Sequence, residues 1–283
     1  MILILSENKD LKLLLTYFKY FLYGLIQGIT EFLPISSSAH LKVISILLGV
    51  EDPGSSISAI VQLGSVIAIL FYFRNDIHEF LKKKDNKNFS LFNSKIIKSI
   101  FIGTFSILFL GSLIKYSIPN FTYSFLRSNF LIGLISIFTG FLMYLADHKK
   151  NNKITLKNHS YLNSFLIGVG QSFAIIPGVS RSGITISIAL LLGWKRVDSA
   201  RYSFLLGIPS ISIAAFVEII DSLSNHLFFN LGPLLIGLFT AFITSFLSIR
   251  FFIKYISFKG LKIFVIYKFA FGILLLLSDG WFN

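Results

Sequence analysis

Gln27-Gly-Ile-Thr-Glu31-Phe-Leu-Pro34-Ile-Ser36-Ser37-Ser38-Ala-His40 and Gln171-Ser-Phe-Ala-Ile-Ile-Pro177-Gly-Val-Ser180-Arg181-Ser182-Gly-Ile-Thr185 are two polar islands in an otherwise apolar chain. Each sets ionisable or hydroxyl side chains among residues that read as membrane. Such groups cost several kcal/mol in hydrocarbon and persist mainly where function requires them. Together the islands hold a carboxylate, an imidazole, a guanidinium and a cluster of hydroxyls, a set suited to phosphate chemistry.

The surroundings fix the class. Hydrophobic residues make up 54% of the 283 and charged residues only 14%, against about 25% charged in a soluble domain. Mean hydropathy is +0.76. Long apolar runs alternate with short basic loops, the pattern of a multi-span helical protein. A β-barrel would instead alternate apolar and polar residues, which this chain does not. The net charge of +13 belongs to loops that face cytoplasm and anionic headgroups, and no nucleic-acid partner is expected. With no cysteine, disulfides, thiolate catalysis and Cys-based metal sites are excluded. The first twenty residues carry no small-residue cleavage site and are not read as a removed signal peptide.

Apolar runs near 57–73, 97–115, 128–146, 202–220, 231–250 and 262–280 are each about long enough to span. Basic loops at 74–98, 147–160 and 251–262 go inside, which leaves 51–56, 116–127 and 221–230 outside. The islands do not fit as further spans. Residues 24–50 and 166–194 each read as two short halves broken at Pro34 or Pro177, because proline ends helices and serines compete for backbone hydrogen bonds. Two re-entrant helix pairs are therefore expected, with irregular backbone sheltered inside protein. A shift of 144 residues lays Gln27 on Gln171, Ser36 on Ser180, Ser38 on Ser182 and Leu47-Leu48-Gly49 on Leu191-Leu192-Gly193. The fold expected is an all-α polytopic membrane protein: one integral membrane domain over 1–283, with about six transmembrane helices and two re-entrant helix pairs. Its halves, 20–146 and 160–283, form an inverted-topology repeat of the kind transporters use.

Within the islands, Glu31 lies four residues after Gln27, on one helix face. It can serve as a base, a metal ligand or an orienting group for His40. Ser36, Ser37 and Ser38 include candidate helix caps. His40 sits about one turn from Ser37, and imidazole near hydroxyl with a carboxylate behind is the arrangement that activates serine; a histidine can also attack phosphorus itself. Arg181, flanked by Ser180, Ser182 and Gly183, matches a phosphate grip built on paired N–H donors at a helix N-terminus, or else a buried ion pair with Glu31. Thr185 adds a hydroxyl one turn on. His78, His148, His159 and His226 read as solvated loop residues, Lys195, Arg196 and Arg201 with Asp198 as an inner loop, and the phenylalanines as lipid-facing bulk.

At these motifs the chain resembles the undecaprenyl-diphosphate phosphatase, or bacitracin-resistance, family. The Gln27–His40 and Pro177–Thr185 segments carry the likeness, which extends over the whole chain in the order and spacing of apolar segments. The resemblance implies hydrolysis of undecaprenyl diphosphate to undecaprenyl phosphate and inorganic phosphate, recycling the carrier for peptidoglycan and cell-wall synthesis and conferring bacitracin tolerance. It implies a bacterial plasma (inner) membrane location, an active site open to the outer, periplasmic side, and a polyprenyl diphosphate substrate among membrane lipids; a homodimer stays open. By position, Glu31, Ser37, His40 and Arg181 match the catalytic and phosphate-binding residues, with Gln27, Ser36, Ser180, Ser182 and Thr185 in support. A divalent cation, magnesium or calcium, on Glu31 is open too, although Gln27 stands where many relatives carry glutamate. The rival reading is a transporter or flippase for an anionic polyprenyl lipid. A phosphatidic-acid-phosphatase type is disfavoured, because its Lys-x6-Arg-Pro signature is absent.

Overall fold

The computed structural model describes residues 9–49, 54–81, 91–117, 125–149, 152–224 and 230–278. Parts of the loops read above, at 51–53, 82–90, 118–124, 150–151 and 225–229 with His226, lie outside the described residues. Eleven α-helices carry the described chain, and the only extended pairing among the described residues is an isolated bridge between Ile154 and Trp194. In chain order they are α1 (Lys9–Phe32), α2 (Ser37–Leu47), α3 (Gly54–Tyr72), α4 (Arg74–Leu81), α5 (Leu91–Ser117) and α6 (Asn129–Asp147). The remainder are α7 (Tyr161–Ser172), α8 (Arg181–Leu191), α9 (Arg196–Ser224), α10 (Leu231–Lys259) and α11 (Lys262–Ser278).

Among the described residues, four segments are long and apolar enough to cross a membrane: Lys95–Leu113, Asn129–Asp147, Arg196–Ser224 and Leu231–Lys259. The run expected near 57–73 forms a shorter apolar helix, Ile57–Tyr72, and the last run is the 17-residue α11. The chain is a multi-pass membrane protein. Its exterior is apolar, with Phe101, Phe138 and Phe258 at 70%, 69% and 77% exposure. Not every phenylalanine faces lipid, as the sequence reading had it: Phe32, Phe73, Phe204 and Phe252 are buried, and Phe204 packs edge-on against Phe32 at 5.0 Å.

Both islands break where their prolines predict, but unequally. The first island's leading half is no short helix; it is the end of the 24-residue α1. That helix reaches back to Lys9 because Leu, Phe and Tyr dominate residues 11–26, with Lys12 and Lys19 two turns apart on one face. The second island is two short helices of 12 and 11 residues, started by a capping box in which Ser160 and Asn163 exchange bonds. Close helix contact depends on small residues. A Cβ at Gly28 would meet Ala241 O at 2.7 Å, and one at Gly168 would meet Gly103 Cα at 2.6 Å, so these sites let backbones approach as membrane helices require. α1 lies along α10, α5 along α7 and α6 along α11, while α8 is held among α6, α7 and α9.

Candidate active site

Bringing the two island turns together creates the site. Gly178 N donates to Ser36 Oγ at 3.3 Å, and Ser182 Oγ donates to Leu33 O at 3.1 Å. Ser36 and Ser180 both adopt left-handed backbone, φ 76° and 69°, the only non-glycine residues to do so among the described ones. Such conformations cost on the order of 1–3 kcal/mol and gather at functional sites. The hydroxyls of Ser36 and Ser38 lie 3.3 Å apart, as do those of Ser180 and Ser182. Ser180 caps α8 by accepting from Gly183 N at 3.2 Å. Ser36 precedes α2 in the same backbone shape but makes no side-chain cap bond, because its oxygen is turned to the other turn. The cap role expected among the first island's serines is thus not filled by Ser36, whereas Ser180 fills the equivalent role in the second island.

Glu31 is the hub. Its Oε2 accepts from Ser37 Oγ at 2.7 Å and from Gln27 Nε2 at 2.8 Å, while Oε1 accepts from Arg181 Nη2 at 3.3 Å. The Glu31–Arg181 ion pair is thus present, with side-chain exposures of 7% and 11%. Arg181 Nη1 also donates to Ser203 O at 3.1 Å, whereas its Nε is buried without a partner. A cavity of about 230 Å³ opens here. Glu31, Ser36, Ser37, Ser38, Ser180 and Arg181 make up its polar wall, and Ile107, Ala174, Ile175, Ile211 and Ala214 supply apolar lining.

Four nominated residues stand behind that wall rather than in it. Gln27 is fully buried and braces Glu31. Ser182 is spent on Leu33 O. Thr185 Oγ1 is engaged by Arg181 O at 2.8 Å and Ser203 Oγ at 2.6 Å. His40 is the clearest departure from the arrangement read in the sequence, in which it stood between Glu31 and Ser37. Glu31 instead contacts Ser37 directly. His40 Nδ1 lies 2.7 Å from Ser36 O and Nε2 lies 2.6 Å from Tyr267 Oη. The carbonyl must accept, so Nδ1 carries the hydrogen; Nε2 then accepts from the tyrosine hydroxyl, and neither nitrogen is left free. The ring also stacks on Phe271 at 4.5 Å.

Sequence reading missed Gln62 and Ser210, which line the cavity, and Tyr267 and Lys268, which touch the turns from α11. A lone polar residue inside an apolar run was the available signal at Gln62 and Lys268. His159 was misread too: it is 1% exposed, bonded through Nε2 to Ser99 Oγ at 2.7 Å, because its loop folds against Trp194.

No group of three or more His, Cys, Asp or Glu side chains able to hold a metal ion occurs among the described residues. The residues fit a divalent cation in a narrower way. Gln27 Oε1 is a buried oxygen without a partner, on the side chain that braces Glu31, and magnesium is often held by one or two carboxylates plus substrate phosphates.

Residues 20–274 match the family model described as bacitracin resistance protein BacA. The chain belongs to the BacA family. Among BacA-type relatives, the undecaprenyl-diphosphatase of Prochlorococcus marinus strain MIT 9301 is 56% identical over 265 residues, covering 93% of this chain and 99% of the relative. The protein of the same name from strain AS9601 is 56% identical over 268 residues, 94% and 97% of the two chains. That of Synechococcus sp. strain CC9311 is 41% identical over 260 residues, 90% and 92% of the two.

Proposed function

We propose that this protein hydrolyses undecaprenyl diphosphate to undecaprenyl phosphate and inorganic phosphate in the bacterial plasma membrane. Its site opens to the outer face, and the carrier is returned to peptidoglycan synthesis, with bacitracin tolerance as a consequence. The observation that carries this reading is the contact of Ser37 Oγ with Glu31 Oε2 at 2.7 Å, beside Arg181, in a cavity lined by both polar and apolar residues.

The diphosphate sits against the polar wall and the first isoprene units against Ile107, Ile175 and Ile211. Arg181, with Nε unused, turns its donors from Glu31 to the phosphoryl oxygens, where a planar guanidinium makes paired charge-assisted bonds. Glu31 then takes the Ser37 proton as the oxygen attacks the terminal phosphorus. The Oγ–P bond forms, the bridging P–O bond breaks, and undecaprenyl phosphate leaves with the proton that Glu31 had taken, which returns Glu31 to carboxylate. Water attacks the phosphoserine, giving its proton to Glu31, and phosphate departs as Ser37 recovers its hydrogen. Most of the acceleration in phosphoryl transfer comes from positioning and charge stabilisation, which Arg181 and the α8 N-terminus supply. A divalent cation, magnesium or calcium, would be held by Glu31 with Gln27 Oε1 nearby and would neutralise diphosphate charge. In this reading His40 fixes the Ser36 turn and is not the nucleophile.

The finer architecture belongs to the same proposal: six spans and two re-entrant pairs in an inverted repeat. Its support is the 144-residue spacing that relates Ser36 to Ser180, the 11-residue helices α2 to α8, and positive-φ Gly49 to Gly193. The same shift exchanges the α1–α10 and α7–α5 packing pairs.

Phosphate release from undecaprenyl diphosphate by the purified protein in detergent tests the function. Wild type is expected to release phosphate, and Arg181→Ala and Glu31→Gln to lose on the order of 100-fold or more in kcat/KM. A pure lipid transporter would release none, and that result would overturn the proposal.

A further inference from the structure

Lys268 lies in the middle of α11, in the sequence Ile-Phe-Val-Ile-Tyr-Lys268-Phe-Ala-Phe, and is 0% exposed. An ammonium there is costly unless something compensates it. Among the described residues no carboxylate lies within ion-pairing distance of it. Its Nζ instead donates to two backbone carbonyls of the second turn, Gly178 O at 2.9 Å and Val179 O at 3.1 Å.

Those carbonyls precede the left-handed Ser180, and Gly178 itself has φ +95°. Ser180 and Arg181 line the cavity, whereas Lys268 does not. In a planar trans peptide the carbonyl and the following N–H point in opposite directions. By drawing Val179 O toward α11, the lysine turns the Ser180 N–H away from itself and holds the strained residue that begins α8. The preceding residue on α11, Tyr267, meets His40 of α2, whose Nδ1 bonds Ser36 O in the first turn. Consecutive residues of one helix therefore hold both turns, one from each island.

We infer that Lys268 is a positioning residue for the phosphate grip: its ammonium braces the Gly178–Ser180 turn from behind, setting Ser180 and Arg181 for the substrate without touching it. A methylene stem alone would fill the space but leave two buried carbonyls unpaired and the turn free to relax.

The chain has no cysteine, so a single introduced thiol can be rebuilt chemically. Lys268→Met is expected to fold, with a melting temperature within a few degrees of wild type, and to release phosphate about tenfold or more slowly. Lys268→Cys should be similarly slow. Alkylation with 2-bromoethylamine, which restores an ammonium at lysine length, should recover at least about a third of the rate, whereas ethylation of the same thiol should recover none. Lys268→Met with wild-type turnover would overturn the inference. So would equal recovery by both adducts, which would make the role one of volume, and so would failure of Lys268→Met to fold, which would assign the lysine to global stability. If the thiol resists alkylation, the turnover of Lys268→Met decides. The inference rests on the phosphatase reading, and the arms separate the two: inactive wild type removes that reading, while active wild type beside an equally active Lys268→Met removes only the brace.

Discussion

The hydrogen bonds of single atoms decide the roles of Ser37 and His40. Ser37 Oγ has a carboxylate acceptor at 2.7 Å, whereas both His40 nitrogens are spent on Ser36 O and Tyr267. Removing the nucleophile should cost far more than loosening a support. Ser37→Ala is expected to lose on the order of 1,000-fold in kcat, within the range for a group acting in the chemical step. His40→Gln, which keeps one donor and one acceptor, should lose only about tenfold. Quench-flow with substrate labelled in the terminal phosphate should trap label on wild type and on His40→Gln, and none on Ser37→Ala; label on Ser37→Ala would move the nucleophile elsewhere. The sequence made these residues legible as a set, because charge and hydroxyls stand out against hydrocarbon. It did not reveal how they pair. Glu31 reaches Ser37 only because Pro34 ends α1 and the left-handed Ser36 turns the chain back, and nothing in the residue types at 31, 37 and 40 specifies that geometry.

Elements place those residues through close contacts. α9 passes so near Arg181 that a Cβ on Gly207 would lie 2.5 Å from Nη1 and 2.9 Å from Cζ. Gly207→Ala should therefore displace the guanidinium while barely affecting helix formation, since alanine favours a helix more than glycine. The expected outcome is a loss of about tenfold or more in kcat/KM with an unchanged or slightly raised melting temperature; wild-type kinetics would show that Arg181 moves aside without consequence. The loop joining α6 to α7 carries a separate, pH-dependent element. Burial lowers the pKa of His159 from the usual 6.5 to about 4, opposed by its bond to Leu156 O. The unfolded chain thus binds a proton between pH 6.5 and 4 that the folded chain refuses. Stability from this residue is full above pH 6.5 and falls as pH drops toward 4, by up to about 3 kcal/mol. Melting curves of wild type and His159→Gln should accordingly converge between pH 7 and pH 4.5, wild type losing more. Residue spacing gave no warning of this burial, because His159 sits among Lys157, Asn158 and Ser160 and its partners Ser99, Trp194 and Tyr202 are remote in the chain.

Across the whole molecule, the break points at Pro34 and Pro177 and most apolar runs were legible, since helix length and proline chemistry are local. The reach of α1 back to Lys9 was not, because its apolar stripe is interrupted by Lys12 and Lys19, whose side chains need only one polar face. What remains is orientation, which rests on loop charge. If the halves are inverted, α2 and α8, alike in length and each preceded by a positive-φ serine, end on opposite faces of the membrane. Leu48, just after α2, is 49% exposed, and Lys195, shortly after α8, is exposed as well. The natural chain contains no thiol, so Leu48→Cys and Lys195→Cys each report one position without background. A membrane-impermeant maleimide added to intact spheroplasts should label Leu48→Cys and leave Lys195→Cys untouched until the membrane is permeabilised. Labelling of both from outside would put the two helix ends on one face and refute the inversion. Reversed accessibility would keep the inversion but turn the molecule over, placing the cavity on the inner side, where recycling of an outward-facing diphosphate would require the lipid to cross first.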